Sequence, residues 1–311
     1  MQIKPYYGLL ILVFTLVSLF QDKIYCQDLI IGGGTTLSTY FGDLAPYNLK
    51  QSWAEVHPGI GIYASKRIFK KIYFEVDAEQ STISAHDKNG ASDDRKGRNL
   101  SFRSPISSLS ASLCMRLGLL KYNKLGIYAG ASASIFKFDP QAKLEGRWYR
   151  LRPLGTEGQG LPGGPKKYSL LQTAIPLQLG LYYRLKPRLF IELEVTQYFT
   201  NTDYLDDVSG VNIHGDYFDL ERLRKEKGDL AFRFADRSLE VNPGGIPYSR
   251  QGIKRGNPLK NDQFLFFKVG IAYSIKSKMH KQVYRRAIRI KCPELSKDWF
   301  VNTSGHGRNW Q

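Results

Sequence analysis

Cysteine is scarce: the 311 residues include only Cys26, Cys114 and Cys292. So few exclude a scaffold held together by several disulfides. Cys114 falls in mid-strand and Cys292 in the tail, so both are read as unpaired thiols. Long apolar runs are also missing. Only residues 7–20 form one, short of the roughly 20 residues a transmembrane helix needs. A mean hydropathy of -0.34 likewise argues against a helical membrane bundle. Acidic residues are in deficit: 28 Asp and Glu against 45 Lys and Arg leave a formal charge of +17. That surplus points to an anionic partner, whether nucleic acid, phospholipid or an acidic protein surface. Catalytic patterns are absent too. There is no Gly-x-Ser-x-Gly and no His-Glu-x-x-His, and His57, His86, His214, His280 and His306 are scattered. The glycines at 155, 158 and 160 lack the Lys-Ser/Thr that completes a phosphate loop. No catalytic residue, cofactor site or enzymatic activity is assigned.

What is present reads as an exported, ordered chain. Hydrophobic residues make up 42% and aromatics 13%, enough to exclude global disorder. Lys4, the apolar run GLLILVFTLVSLF and a short polar stretch ending at Cys26 have the layout of a secretory signal peptide over residues 1–26. Tyr25 is too bulky beside Cys26 for a lipoprotein signal. Export makes nucleic acid a poor partner, so the positive charge should face lipid or protein.

The mature chain, 27–275, shows period-two alternation in eight runs: 29–37, 58–65, 71–84, 106–118, 126–138, 172–185, 188–199 and 263–275. Leu109, Leu113, Met115 and Leu117, for example, alternate with Ser108, Ser112, Cys114 and Arg116. Most runs exceed the roughly 5–6 residues of soluble strands and suit the roughly 9–11 of a tilted membrane strand. Short connections alternate with long ones, the long ones being 39–57, 85–105, 139–171 and 200–262. Short periplasmic turns, long outer loops and an even strand count characterise outer-membrane barrels. The expectation is therefore an all-β fold: an eight-stranded antiparallel transmembrane β-barrel, with a basic C-terminal tail over 276–311. Lipid would meet the apolar faces. Glu75, Asp77, Glu79, Glu192 and Glu194 with Arg116 and Lys268 would form an interior ionic network, leaving no aqueous pore. A soluble barrel of the lipocalin kind would reverse the faces, and the connection before residue 263 is too long for it.

The outer loops hold one weak cation candidate. Asp203, Asp206 and Asp207 cluster as Ca²⁺ ligands do, although aspartates also cap turns and the spacing is not that of an EF-hand. A short helix is expected over 218–227.

Four segments together are distinctive: RNLSFRSP at 98–105, the stretch 138–160, TDYLDDVSG at 202–210, and RGNP at 255–258 with Asn261 and Asp262; Asp236-Arg237-Ser238 lies between the last two. In order and spacing, residues 29–275 resemble the PorG-like outer-membrane barrels of the Bacteroidota type IX secretion system. The resemblance implies a barrel in the outer membrane that contacts a periplasmic ring built from a lipoprotein and its partner subunit. The tail is a departure from that pattern, and it points to a subfamily with a different partner.

A basic rim follows from the turns. Lys66, Arg67, Lys70, Lys71, Lys121, Lys124, Lys186 and Arg188 would share the periplasmic side with tail cations including Arg285, Arg286 and Arg289. Outer-membrane phospholipid or an acidic partner would suit that surface. The first reading is a membrane anchor for protein transport, holding a periplasmic secretion assembly. The alternatives are a stand-alone surface barrel that binds a ligand or cell through its outer loops, and an outer-membrane lipid-modifying enzyme.

Overall fold

The computed structural model describes residues 29–46, 53–90, 93–119, 124–210, 220–245, 248 and 255–275. The expected signal peptide and basic tail, with Cys292, Lys121, Arg285, Arg286 and Arg289, lie outside the described residues.

Ten strands occur in chain order: β1 (Leu29–Phe41), β2 (His57–Phe69), β3 (Ile72–His86), β4 (Ser101–Gly118), β5 (Leu125–Phe138), β6 (Gln141–Leu144), β7 (Arg147–Arg150), β8 (Leu171–Lys186), β9 (Leu189–Thr200) and β10 (Gln263–Ile275). β6 and β7 form a hairpin within one long loop. The other eight each pair antiparallel with their neighbours in sequence, and β1 pairs with β10 from Leu29↔Ile275 to Phe41↔Gln263. The result is a closed eight-stranded antiparallel barrel. Closure satisfies the backbone of the eight barrel strands and leaves the barrel no open edge.

The pattern of burial explains why these residues make a barrel. Around its middle the outward side chains are apolar and exposed: Ile62 at 65%, Leu113 at 56%, Leu179 at 61% and Ile271 at 60%. The inward ones are small, polar or charged and buried, such as Ser110, Ser112, Glu194 and Lys268. An exterior of this kind needs lipid around it. Inward tyrosines lie across glycines on the paired strand. Tyr63 faces Gly32 and Tyr128 faces Gly180. A methyl group added at either glycine would overlap the ring, at 2.4 Å and 2.1 Å, so the missing side chain is what lets the tyrosine lie flat.

Towards the long-loop end the pattern inverts. Phe102, Ile106, Phe136, Phe138, Phe264 and Phe266 turn inward and pack with Tyr40 and Tyr198, while Arg103 and Lys137 face out and are exposed. Strands therefore continue beyond the ends expected from alternation: β1 reaches Phe41 rather than 37, and β4 begins at Ser101 rather than 106. The loops carry short helices: α1 (Asp93–Arg98), α2 (Leu151–Leu154), α3 (Leu220–Lys227), α4 (Asp229–Ala235) and α5 (Ser238–Val241). Of the helix expected over 218–227, α3 supplies the described part. The sequence reading gave neither α4, α5 nor the β6–β7 hairpin. No described helix is long and apolar enough to cross a membrane.

Candidate functional site

Three levels of the barrel carry charge. In the turn-side half of the lumen, Arg116 on β4 pairs with Glu192 at 2.9 Å and Glu75 at 3.6 Å, with its guanidinium 4.6 Å from the Tyr128 ring centroid. Lys268 on β10 pairs with Glu194 at 2.7 Å and Glu79 at 3.4 Å. Neutral groups take up remaining acceptor sites. Gln178 donates to Glu75 at 3.1 Å, Tyr198 to Glu79 at 3.0 Å, Tyr128 to Glu194 at 2.8 Å, and Tyr63 to Glu192. Asp77, also buried, sits opposite Ser110 in the ladder. Strands far apart in sequence thus supply one packed set of ion pairs. Above it, the aromatic cluster fills the lumen with side chains as little exposed as Phe264 at 0% and Tyr40 at 1%.

At the short-turn end, Lys66, Lys70, Lys71, Lys124, Lys186 and Arg188 are exposed and Arg67 is half-buried. The three turns contain no Asp or Glu, so this rim is positive throughout its described length.

At the long-loop end the loops fold over the aromatic cluster as a cap. Two buried arginines organise it. Arg98 binds both oxygens of Asp87, at 2.7 and 2.6 Å, and donates to the carbonyl of Arg255. Arg255 donates to Thr156 Oγ1 at 3.1 Å, Glu157 Oε1 at 3.2 Å and the carbonyl of Phe234 at 3.3 Å. Glu157 in turn accepts from the backbone N–H groups of Ser209 and Gly210, both at 3.1 Å. Asn99 donates to the Arg237 carbonyl at 3.1 Å, and the Asn257 N–H to Asp43 at 2.7 Å. All the segments that carried the family resemblance therefore meet in this cap. Sequence reasoning had not named Arg98, Arg255, Glu157, Asp43 or Asp87 as site residues: Arg98 and Asp87 pair across one loop and the others find partners on different loops, and no local spacing marks either kind of contact.

The three aspartates of the cation candidate diverge. Asp207, held at φ 66°, accepts from Thr156 at 2.5 Å and Tyr168 at 2.6 Å. Asp206 accepts from the Val208 N–H at 2.9 Å and lies 2.7 Å from the Tyr40 hydroxyl. Asp262, named in the sequence only as part of a resemblance segment, shares that same hydroxyl at 2.7 Å. Burial pushes Asp203 up to about 8 and, against Arg255, Asp207 up to about 6. Asp206 and Asp207 serve as internal acceptors for separate partners, and no described group of three or more His, Cys, Asp or Glu is arranged to hold a metal.

One arrangement resembles a nucleophile and base. His57 Nε2 stands 2.8 Å from Ser84 Oγ, on the outer face of β2 and β3. However, Ser84 donates its hydrogen to Glu55 at 2.5 Å, and Glu55 also binds His86 at 2.6 Å and Asn89 at 2.7 Å. His57 therefore cannot take the serine proton. The cluster is a clasp that holds residues 53–57 against β3.

The chain matches no protein-family model and no curated protein. Among solved structures it is similar to Neisserial surface protein A, with a TM-score of 0.40 at 10% identity over 79% of this chain and 97% of that one. It is also similar to Ail, the attachment invasion locus protein of Yersinia pestis, in complex with the heparin analogue sucrose octasulfate: TM-score 0.38, 10% identity, 80% and 99% of the two chains. A third is the outer membrane protein OprG from Pseudomonas aeruginosa: TM-score 0.35, 11% identity, 80% and 96%. At such values the barrel assignment rests on the closed ladder of this chain itself.

Proposed function

We propose that this protein is a non-enzymatic outer-membrane barrel that anchors or organises a periplasmic secretion assembly of the type IX kind. The observation that carries the reading is the uninterrupted positive rim at the short-turn end of a barrel whose lumen is filled. Short turns lie on the periplasmic side of outer-membrane barrels, so the rim would face a periplasmic partner. A filled lumen argues against a diffusion channel and for a rigid post. Charge complementarity with an acidic partner would then orient and speed docking. The test is affinity purification of the tagged, full-length protein from gently solubilised outer membranes. Charge reversal at Arg67, Lys70, Lys121 and Lys124 should release co-purifying periplasmic ring proteins while the barrel stays folded and heat-modifiable. Retention of the ring proteins by the reversed variant would overturn docking through the rim.

A second reading is favoured by the cap. A folded, hydrogen-bonded cap is more than a set of solvated loops, and it presents a rigid surface to the cell exterior. A surface barrel of this sort would lose function on shortening of the 139–171 loop and keep it on removal of residues 276–311. A lipid-modifying enzyme receives no support from the clasp at Ser84.

A further inference from the structure

The outward face of β4, β5, β6 and β7 changes character where the apolar belt ends. β6 continues β5 without a register change: Ile106↔Phe138 and Arg103↔Gln141 belong to one ladder against β4. This extension carries Lys137, Asp139, Gln141 and Lys143 outward, while Phe138, Ala142 and Leu144 turn inward and are buried. β7 adds Trp148 opposite Lys143 and Arg150 opposite Gln141. Arg103 stands opposite Gln141 with its guanidinium carbon 5.6 Å from the Trp148 ring centroid.

Position and charge both matter here. Lys137 pairs with Leu171 on β8, and one outward step nearer mid-barrel the pair Leu109 and Ile135 is half exposed. The cations therefore begin where lipid chains would end. Arg150 is paired with Asp139 at 2.7 Å, and the neighbouring Glu55 is held by His86, Ser84 and Asn89. Arg103, Lys137 and Lys143 are exposed, and no ion pair to them occurs among the described residues. From Lys137 to the level of Arg103 is roughly 14 Å along the strand, too wide for a single phosphate.

We propose that this face binds the phosphorylated sugar head group of an outer-leaflet glycolipid, with its acyl chains along Leu109, Ile135 and Leu171. Arg103, Lys137 and Lys143 meet the phosphates, and Trp148 sits at the head-group level where indole rings favour the interface. The proposal rests on the membrane placement above and is independent of any periplasmic partner.

The full-length protein in detergent micelles is titrated with phosphorylated lipid A, and separately with dephosphorylated lipid A, and adducts are counted by native mass spectrometry. Heat-modifiable migration reports the barrel fold separately, so a failure of membrane folding is distinguishable from a failure of lipid binding. The expected result is at least about tenfold weaker binding of phosphorylated lipid A by R103E/K137E/K143E, with unchanged heat-modifiability. Dephosphorylated lipid A should bind the parent protein as weakly as the phosphorylated form binds the variant. K166E/K225E/K260E, which loses the same charge elsewhere at the loop end, should keep the parent affinity. Equal binding by parent and R103E/K137E/K143E would overturn the proposal, as would an equal loss in the control. Displacement of the lipid by an equal concentration of inorganic phosphate would assign the site to free phosphate instead.

Discussion

At the scale of single residues, the cap is built on protons as well as charges. Tyr40 has one hydroxyl hydrogen, yet a carboxyl oxygen of both Asp206 and Asp262 stands 2.7 Å away. Only one can accept that hydrogen, so the other keeps its own proton and donates it to Tyr40. Burial raises both carboxyls well above the ordinary range, with Asp43 adding to the effect at Asp206 and Asp206 at Asp262. A carboxyl that binds its proton more tightly in the fold than in the unfolded chain contributes stability at low pH. That contribution is complete below its unfolded value, about 4, and is lost as pH rises through the folded value. Asp203, raised to about 8, sets the window. Hydrogen exchange across residues 202–210, corrected for its intrinsic pH dependence, should show full protection at pH 4 and a marked loss by pH 9. The strand amides of β4 should hold throughout. Equal protection of 202–210 at both pH values would contradict a shared proton in the cap.

At the scale of elements, the sequence revealed the strands through their two different faces. Leu109, Leu113 and Met115 against Ser108, Ser112 and Arg116 left no doubt about β4. The ends of the strands were harder to read, because the alternation inverts near Ile106, Phe136 and Phe264 as lipid gives way to water outside and aromatic packing fills the inside. The β6–β7 hairpin and α4 were not legible at all. Ala142, Leu144, Leu151 and Phe234 form a small core of their own across two loops, and no local periodicity announces such a cluster. The inversion makes a depth-dependent prediction for one strand face. Leu113→Arg, in mid-belt, should destabilise the barrel by about 2–4 kcal/mol, and Ser107→Arg, at the edge beside Lys137, by about 0–1 kcal/mol. Denaturant titration of the protein folded in lipid vesicles measures both, and equal costs would mean that β4 does not cross a hydrocarbon layer.

At the scale of the whole molecule, three layers share one axis of chemistry: a positive rim at the turns, paired charges from there to mid-height, and an aromatic plug under a folded cap. Arg98 and Arg255 show why the top layer was hidden in the sequence. The two residues meet through a hydrogen bond between loops far apart in the chain, and the Arg255 side chain reaches Thr156, Glu157 and Phe234 on other loop segments. The resemblance segments marked the right residues without revealing that they converge. This layering makes the barrel a sealed post rather than a passage, and planar-bilayer conductance of the purified, refolded full-length protein tests that most directly. The account predicts membranes that remain insulating after insertion, whereas steady ohmic steps through the parent protein would show an open lumen and contradict it.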